Sequence, residues 1–472
     1  MDEFLDPQPL KALLIGVQLP KVSDQETQYS LAELSRLVTT LGYEVVGQTS
    51  QKRSSTRSAT VLGEGKLKDI AKWTGGPGFL GPMFKKKKHK AALRFEKEEE
   101  EDSFEGEEFF EESDEPEILE ESSGETAPQE KAQVAIFDCE LSPSQLRNME
   151  HVLGVPVLDR TGVIIEIFNR HARTREAKLQ VEIARLRYVA PRLRETGGGE
   201  DRGGGGIGAK GAGESVIELD RRHIRDRIKE LKDELASISQ EHETRRARRS
   251  QELVVALVGY TNAGKSSLMR ALTGSEIYVA DKLFATLDTT VRILQPETKP
   301  KILVSDTVGF IKKLPHDLVA SFKSTLDEAS NASLLLYVVD CSDPTFRSQL
   351  EVTKTTLREV GAGEIDNVLI LNKVDRLTAE ERASLAAEFP QGYFLSAHNP
   401  DDITQLHTYL VKHFENSMVD EDLFIPYDVQ KAIGEIRGKF AILGEEYDER
   451  GVTLKVRASP EDIRRLKTRH GI

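Results

Sequence analysis

The sequence predicts a multidomain α/β protein with a mostly parallel sheet in its second half. Between residues 252 and 398, short apolar runs alternate with helical stretches, as in a mostly parallel sheet with helices on both faces. A glycine-rich stretch, GYTNAGKS, follows the first of these runs. Upstream, strand-like runs give way to two long helical patterns. We predict four regions: an N-terminal α/β domain at 1–160, an antiparallel helical hairpin at 161–249, the nucleotide-binding G domain at 250–417, and a small α+β domain at 418–472.

The N-terminal region has an α/β pattern. The apolar runs ALLIGVQL, YEVVGQT and SATVLGEGK accompany one helical stretch, YSLAELSRLVTTLG, which Gly42 can end. The residues that recur at helical spacing in it are Leu31, Leu34, Val38 and Leu41. A strand–helix–strand pattern, QVAIFDCELSPSQLRNMEHVLGVPVLD, occupies residues 133–159. Together these stretches predict one α/β domain.

An insert of unusual composition, residues 74–132, interrupts this domain. A KKKKHK run precedes an acidic run, and residues 96–130 hold 18 Asp and Glu against one Lys. Like charges at this density repel and few apolar groups can be buried, so we predict disorder here. The chain carries a net charge of −14, and outside the acidic run it carries about +3. The lysine run either contacts nucleic acid or is a solvated tail neutralised by the acids that follow.

Two long helices joined by a glycine-rich loop are predicted next, at about 170–194 and 215–248. The first places Leu179, Ile183, Leu186 and Ala190 on one face, and the second places Ile224, Ile228, Leu231, Leu235 and Ile238 at 4-3-4-3 spacing. That spacing is typical of a coiled-coil seam. Ten of the 17 residues at 197–213 are glycine, so the two helices most simply form an antiparallel hairpin.

The hairpin region is basic. Residues 160–249 hold 21 Lys and Arg against 15 Asp and Glu. The excess, beside a mobile glycine loop, favours contact with RNA. Ordinary solvated helix faces are the alternative interpretation.

The GYTNAGKS stretch has the G-x-x-x-x-G-K-[ST] form of a phosphate-binding loop. Backbone N–H groups of such a loop and of the helix that it opens can surround phosphate oxygens. Lys265 would neutralise the β and γ phosphates, and the Ser266 hydroxyl would ligate Mg²⁺. The residues of this loop that we predict to bind nucleotide are Gly259, Tyr260, Thr261, Asn262, Ala263, Gly264, Lys265 and Ser266.

A second motif, DTVG, ends the next strongly apolar strand. Its residues are Asp306, Thr307, Val308 and Gly309. Asp306 can hold Mg²⁺ through water, and the Gly309 amide can meet the γ-phosphate without a Cβ in the way. Many GTPases place a water-orienting glutamine after this glycine, but this chain has Phe310, whose ring cannot orient water.

Two further stretches predict recognition of guanine. Asn372, Lys373, Val374 and Asp375 form an NKVD motif at the end of an apolar strand, and Ser396, Ala397 and His398 follow the next strand. The Asp375 carboxylate can accept hydrogen bonds from guanine N1–H and the 2-amino group. Adenine offers neither, so this site rejects it. The Ala397 amide could meet the guanine carbonyl.

The stretch YVADKLFATLDTTVR must supply one threonine to Mg²⁺ and the γ-phosphate. Spacing alone leaves Thr286, Thr289 and Thr290 as candidates.

These motifs together resemble the HflX family of ribosome-associated GTPases, which is related to the Obg group. The stretches that carry the resemblance are ELSPSQLRNME, LDRTGVIIEIFNRHARTREAKLQVEIARLRYVAPRL, GYTNAGKSSLMRALTG, DKLFATLD and DTVGFIKKLPHDLVASFKSTLDEA. The resemblance covers nearly the whole chain except about 74–132. It implies that Thr286 is the second protein ligand of Mg²⁺, beside Ser266, and that catalysis rests on Lys265, Thr286 and Gly309. It also places the FATLD residues Phe284, Ala285, Thr286, Leu287 and Asp288 at the GTP site.

The resemblance further implies partners and a cellular role. Members of the family bind the large (50S) ribosomal subunit, with the N-terminal part and the hairpin loop approaching ribosomal RNA near the peptidyl-transferase region. They act in rescue or splitting of stalled ribosomes, translation under stress, or subunit biogenesis. We therefore expect a cytoplasmic, monomeric GTPase that binds GTP, GDP and Mg²⁺. This chain differs from the usual family pattern at residues 210–218, where it has KGAGESVIE and the family usually has a sequence close to RGPGETQLE.

Other features set bounds on the function. The chain has no run of about 18 apolar residues, so we expect no membrane span. Its acidic start lacks the pattern of a secretory signal. Cys139 and Cys341 have no paired spacing and are expected to be reduced thiols in the cytosol. Two alternatives to a ribosome-stimulated GTPase stay open: an RNA- or ribosome-binding module that is gated by GTP with negligible turnover, and a signalling switch with protein effectors only.

Overall fold

A computed structural model describes residues 9–80, 130–193, 216–249, 252–274, 284, 290–312 and 328–472. Most of the predicted insert, the glycine-rich loop and the switch residues Ala285, Thr286, Leu287 and Asp288 lie outside these ranges. The chain divides into two compact units, Met1–Val163 and Ile164–Ile472. In the described part of the chain, no helix is both long and apolar enough to cross a membrane.

The first unit is built around a four-stranded parallel sheet with strand order β2-β1-β3-β4. Its elements are β1 (Lys11–Gln18), α1 (Asp24–Thr40), β2 (Glu44–Lys52), α2 (Glu64–Thr74), β3 (Val134–Phe137), α3 (Pro143–Leu153) and β4 (Val157–Asp159). Strands β1 and β3 are buried along most of their length, as expected of parallel strands covered on both faces. The α/β pattern read from the sequence is therefore confirmed.

Capping explains where the helices of this unit begin. Ser23 accepts from the amide of Glu26 and Glu26 accepts from the amide of Ser23, which forms a capping box at α1. Ser142 and Gln145 form the same arrangement at α3. The predicted face of α1 is buried. The third apolar run, residues 58–66, is not a strand: it turns at Val61, which has a φ of +63°, and then begins α2.

The helical region differs from the prediction at its start. The predicted helix at about 170–194 corresponds to α5 (Arg175–Val189), which begins later than predicted because Thr174 caps it by accepting from the amide of Ala177. Residues 170 and 171 end a separate preceding helix, α4 (Arg160–His171). The division between the two units falls within α4. Helix α6 (Val216–Arg249) follows.

Helices α5 and α6 pack antiparallel. Leu179, Ile183 and Leu231 form their buried core, with Leu186, Ile228, Leu235 and Ile238 packed against it. Two ion pairs show the antiparallel arrangement: Arg175 pairs with Glu234 at 2.5 Å and Glu182 pairs with Arg227 at 3.2 Å. Residue numbers therefore rise along α5 as those of its partners fall along α6. Ala190, predicted on the same face, lies in a 3₁₀ turn beyond α5.

The G domain has a six-stranded sheet with strand order β10-β9-β8-β5-β7-β6. Its elements are β5 (Leu253–Val258), α7 (Lys265–Thr273), β6 (Thr290–Ile293), β7 (Ile302–Asp306), β8 (Leu334–Asp340), α8 (Phe346–Glu359), β9 (Asn367–Asn372), α9 (Ala379–Glu388), β10 (Tyr393–Phe394) and α10 (Pro400–Glu415). All neighbouring strands are parallel except the edge strand β6, which pairs antiparallel with β7. The mostly parallel sheet is as predicted.

The last 54 residues form a small α+β domain. Its elements are β11 (Val419–Pro426), α11 (Gln430–Lys439), β12 (Ala441–Asp448), β13 (Gly451–Ala458) and α12 (Pro460–His470). The three strands form an antiparallel sheet of order β11-β13-β12. Its core contains Leu423, Ile436, Leu454 and Ile463.

Candidate nucleotide site

The predicted motifs meet at one edge of the G-domain sheet. The phosphate loop follows β5, DTVG ends β7 and follows it, NKVD ends β9, and the SAH stretch follows β10. Because these strands are parallel, their carboxyl ends lie along the same edge, where ligands of open α/β sheets bind. The described parts of all four motifs are therefore brought together.

The phosphate loop is shaped by two glycines with positive φ. Gly259 has a φ of +152°, and a Cβ there would lie 2.2 Å from the Val338 carbonyl oxygen. Gly264 has a φ of +93°, and a Cβ there would lie 2.2 Å from Nδ2 of Asn372. A side chain at either position would force the loop off its neighbours.

Lys265 lies at the start of α7 with its ammonium group inside the loop. Its Nζ donates to the carbonyl oxygens of Gly259 and Tyr260 at 3.0 and 2.9 Å. Burial lowers the pKa of Lys265 to about 8, although the nearby Asp306 carboxylate opposes this shift. Among the described residues its hydrogen-bond acceptors are these two carbonyl oxygens, and a buried cation in such surroundings is suited to receive phosphate oxygens.

Ser266 and Asp306 form the candidate Mg²⁺ pair. The Ser266 hydroxyl donates to Oδ2 of Asp306 at 2.7 Å, and Asp306 is only 1% exposed. Thr307, the next residue, donates to the Leu257 carbonyl at 2.7 Å and fixes the end of β7 beside β5. A hydroxyl and a carboxylate in contact offer the hard oxygen ligands that Mg²⁺ prefers, so these residues fit the metal. Thr286, the implied third member, lies outside the described residues.

Gly309 lies directly against the phosphate loop, and the backbone of Phe310 is hydrogen-bonded to that loop. A Cβ on Gly309 would lie 2.8 Å from Cα of Thr261 and 3.1 Å from Nζ of Lys265. The amide of Phe310 donates to the Gly259 carbonyl at 3.1 Å, and its carbonyl accepts from the Thr261 amide at 2.8 Å. The hydroxyl of Tyr260 accepts from the Lys312 amide at 2.5 Å. Phe310 is 3% exposed, so its side chain packs inside the protein, as does that of Val308.

The NKVD motif is joined to the phosphate loop by hydrogen bonds. Nδ2 of Asn372 donates to the Ala263 carbonyl at 2.9 Å, and its Oδ1 accepts from the Ala397 amide at 3.1 Å. Nζ of Lys373 donates to the Asn262 carbonyl at 2.8 Å. Asn372, which belongs to NKVD, therefore connects this motif to the phosphate loop and to the SAH stretch.

Asp375 is the exposed member of this motif. A hydrogen bond from the Ser396 side chain is the main cause that lowers the pKa of Asp375. The carboxylate is therefore charged at neutral pH, held on one side by Ser396 and exposed on the other. Val374 is buried beside Leu395, and the amide of His398 donates to the Ser396 hydroxyl at 3.4 Å.

Several residues near the site were missed by the sequence analysis. Asp340, the last residue of β8, forms an ion pair of 2.7 Å with Lys373, and its place at the end of an apolar strand was an available signal. Asp402 accepts from the Ser396 amide at 2.7 Å. Phe168 packs on Phe284, for which the sequence offers no signal.

Three family models match parts of this chain. A model described as GTP-binding GTPase N-terminal matches residues 28–76 and 118–169, and the stretch between them lies largely in the predicted insert. A GTP-binding GTPase Middle Region model matches residues 171–249. A model described as 50S ribosome-binding GTPase matches residues 254–373.

Curated relatives are similar over most of their length. GTPase HflX of Gluconacetobacter diazotrophicus is 56% identical, over 98% of each chain. GTPase HflX of Escherichia coli is 42% identical, over 71% of this chain and 80% of its own. Among solved structures, a GTP-binding protein of Sulfolobus solfataricus in complex with GDP has a TM-score of 0.41 and 22% identity, over 85% of this chain and 99% of its own.

Proposed function

The chain belongs to the HflX family of GTPases, and we propose that it hydrolyses GTP with Mg²⁺ while bound to the 50S ribosomal subunit. The observation that carries the proposal is the connection made by Asn372, which joins the phosphate loop to the guanine-specificity stretches. This arrangement places a phosphate-binding and a guanine-binding group in one site. An ATPase or small-molecule kinase would not need the Asp375 carboxylate beside it.

The roles of the residues follow from their contacts. When nucleotide binds, the Lys265 ammonium group leaves the carbonyl oxygens of Gly259 and Tyr260 and contacts the β and γ phosphates. Ser266, with Thr286 from the family pattern, would ligate Mg²⁺, and Asp306 would hold the ion through water. The ion would neutralise charge that develops on the phosphate oxygens. The Gly309 amide donates to the terminal phosphate. Asp375 accepts from guanine, and the Ala397 amide, which now bonds to Asn372, lies next to the base.

Phe310 makes intrinsic hydrolysis slow. Its ring is buried and its backbone is hydrogen-bonded to the phosphate loop, so no side chain at this position orients the attacking water. Positioning and charge stabilisation by Lys265, Gly309 and Mg²⁺ supply the remaining catalysis. We infer that the 50S subunit completes the site and raises the rate.

The helical hairpin is the region suited to contact ribosomal RNA. The description of the matched family model, a 50S ribosome-binding GTPase, supports the large subunit as the partner. Arg221, Arg222 and Arg225 are exposed on α6, in a region that carries an excess of six positive charges. Binding to RNA phosphates through such groups depends strongly on salt. The cellular task that fits is rescue or splitting of stalled ribosomes, or subunit biogenesis, by a cytoplasmic monomer.

The test is the rate of GTP hydrolysis by the full chain, alone and with purified 50S subunits in the same buffer. We expect a slow rate alone and an increase of at least about tenfold with 50S subunits. The 30S subunit is the partner control, and Lys265→Ala, which should bind no nucleotide, is the background control. A rate near zero in every condition, with GTP still bound, would instead identify a ribosome-binding module gated by GTP.

A further inference from the structure

A second connection between the NKVD motif and the phosphate loop runs through the Lys373 side chain. Its Nζ donates to the Asn262 carbonyl at 2.8 Å and to Oδ2 of Asp340 at 2.7 Å. Asn262 belongs to the phosphate loop, and Asp340 is the last residue of β8. One ammonium group therefore joins three segments at the same edge of the sheet: the phosphate loop, the end of β8 and the NKVD motif.

The Asp340 carboxylate is held in one orientation by the loop that follows β8. Its Oδ1 accepts from the Ser342 amide at 3.1 Å and from the Ser342 hydroxyl at 2.6 Å, in the kind of local turn that aspartate favours. The next residue of the loop, Cys341, donates its amide to the Asn372 carbonyl at 3.1 Å. The loop thus fixes Asp340 beside the NKVD motif, with Oδ2 directed at Lys373.

The ammonium group of Lys373 needs a partner of opposite charge because it is largely removed from water. The side chains of Lys373 and Asp340 are only 16% and 15% exposed. Burial of a charged group is costly unless an opposite charge and hydrogen bonds compensate for the lost water. The Asn262 carbonyl is neutral, whereas Asp340 supplies a charge. Without that charge, we expect the ammonium group to turn toward water and away from Asn262.

Both residues at the ends of this connection have an uncommon backbone conformation. Lys373 has a φ of +66° and Asn262 has a φ of +62°, in the left-handed region that residues other than glycine rarely adopt. Such conformations persist where the surroundings impose them, and they cluster at ligand sites. The hydrogen bond from Lys373 to the Asn262 carbonyl joins the two, so the charge of Asp340 helps to hold both in place.

We propose that Asp340 is a positioning residue for guanine nucleotides: by fixing Lys373 on Asn262, it helps to set the spacing between the phosphate loop and the NKVD motif. This inference rests on the proposed function, in which the loop binds the phosphates and Asp375 binds the base. A guanine nucleotide bridges these two groups, so its affinity falls when their spacing is no longer fixed. The diphosphate and the triphosphate bridge them in the same way, and both should respond equally.

The experiment is a double-mutant cycle on the affinity of the full chain for GDP and for guanosine 5′-[β,γ-imido]triphosphate, both with Mg²⁺. Asp340→Asn keeps the shape of the side chain but removes its charge. We expect it to weaken binding of both nucleotides by about tenfold, as for loss of one hydrogen bond to a charged group. Lys373→Met removes the ammonium group, keeps an unbranched side chain and should weaken binding at least as much. The double variant should bind no more weakly than Lys373→Met, because Asp340 acts through that ammonium group.

Asp343→Asn is the matched control, since it changes a carboxylate of the same loop that accepts from Thr345 and Gln349. It should leave both affinities unchanged. The inference would be overturned by unchanged affinities in Asp340→Asn, by weaker binding of the triphosphate analogue alone, or by a further loss when Asp340→Asn is added to Lys373→Met. If Asp340→Asn does not fold, Asp340→Ala takes its place in the same cycle. Failure of the unmodified protein to bind either nucleotide would overturn the proposed function itself.

Discussion

Asn372 and Ala263 are joined by a hydrogen bond of 2.9 Å from the asparagine side chain to the backbone carbonyl. The same side chain accepts from the Ala397 amide, and Asn372 is only 1% exposed. One amide group thus fixes the distance between the phosphate loop and the base-binding stretches. Its loss should affect every guanine nucleotide to the same extent, because the diphosphate and the triphosphate use the same base and the same loop.

Asn372→Ala should weaken binding of GDP and of a GTP analogue more than tenfold. The substitution removes the side-chain partner of the buried Ala263 carbonyl, at a cost of about 1–3 kcal/mol, and that of the half-buried Ala397 amide. Titration with fluorescent nucleotides measures both affinities. Asn367→Ala is the control, since Asn367 is exposed at the opposite end of β9 and its side chain donates to the nearby Ile365 carbonyl. Selective loss of the triphosphate would contradict the role proposed for Asn372.

Asp375→Asn should relax the preference for guanine. The carboxylate accepts two hydrogen bonds from guanine, whereas xanthine presents a carbonyl in place of the 2-amino group and suits an amide donor better. We expect weaker binding of GTP, by roughly 10²-fold or more, and a gain in binding of xanthosine triphosphate. Competition between the two nucleotides measures the ratio. Asp366→Asn, which changes an exposed carboxylate just before β9, should leave that ratio as it is. Unchanged rejection of xanthosine triphosphate by Asp375→Asn would count against the proposed contact with guanine.

Gly309→Ala should reduce hydrolysis while GDP still binds. A Cβ at this position would lie 2.8 Å from Cα of Thr261 and 3.1 Å from Nζ of Lys265, so the backbone must move away from the phosphate site. Loss of one amide donor to charge that develops in the transition state costs about 10²- to 10³-fold in rate. Single-turnover hydrolysis and a GDP titration separate the two effects.

Gly434→Ala is the control for this prediction, because a Cβ at Gly434 has open space within 4 Å. It should change neither rate nor affinity. Hydrolysis by Gly309→Ala at the rate of the unmodified protein would show that the Gly309 amide does not act on the terminal phosphate.

The sequence predicted the nucleotide motifs because their conformation is set locally. Gly259 and Gly264 are required by positive φ and by lack of space, and each motif follows an apolar strand whose end is visible in the sequence. The ion pair between Asp340 and Lys373 joins two separate strand ends, so only the sheet order β9-β8 reveals it.

Contacts between segments that are far apart in the sequence could not be predicted, because they depend on how the elements pack. Phe168 lies on an apolar face that predicts burial, but nothing in that face indicates that its neighbour is Phe284. The break before α5 was missed because Thr174 is compatible with a helix interior by pattern alone, and its capping bond to Ala177 becomes evident only from backbone geometry.

Arg160→Met should strongly destabilise the first unit. The Arg160 side chain is 2% exposed and forms ion pairs with Glu33 and with Asp138, the latter at 2.7 Å. Burial opposes the charge of Arg160, but the carboxylates of Glu33 and Asp138 outweigh it and raise the pKa of Arg160. Removing the cation leaves the Glu33 and Asp138 carboxylates without the arginine in a largely buried site, and this should lower the free energy of unfolding by about 3–5 kcal/mol. Urea unfolding of the full chain, followed by circular dichroism, measures the loss.

Two further variants separate charge from packing at this site. Arg170→Met removes an arginine from the same helix whose ion pair with Glu166 is substantially exposed, so it should change the free energy of unfolding by less than about 1 kcal/mol. The triple variant Arg160→Met, Asp138→Asn, Glu33→Gln removes both carboxylate charges together with the cation and should regain part of the loss, because the penalty comes from carboxylates that have lost the arginine. If the triple variant is no more stable than Arg160→Met, the loss arises from packing of the arginine stem and not from its charge.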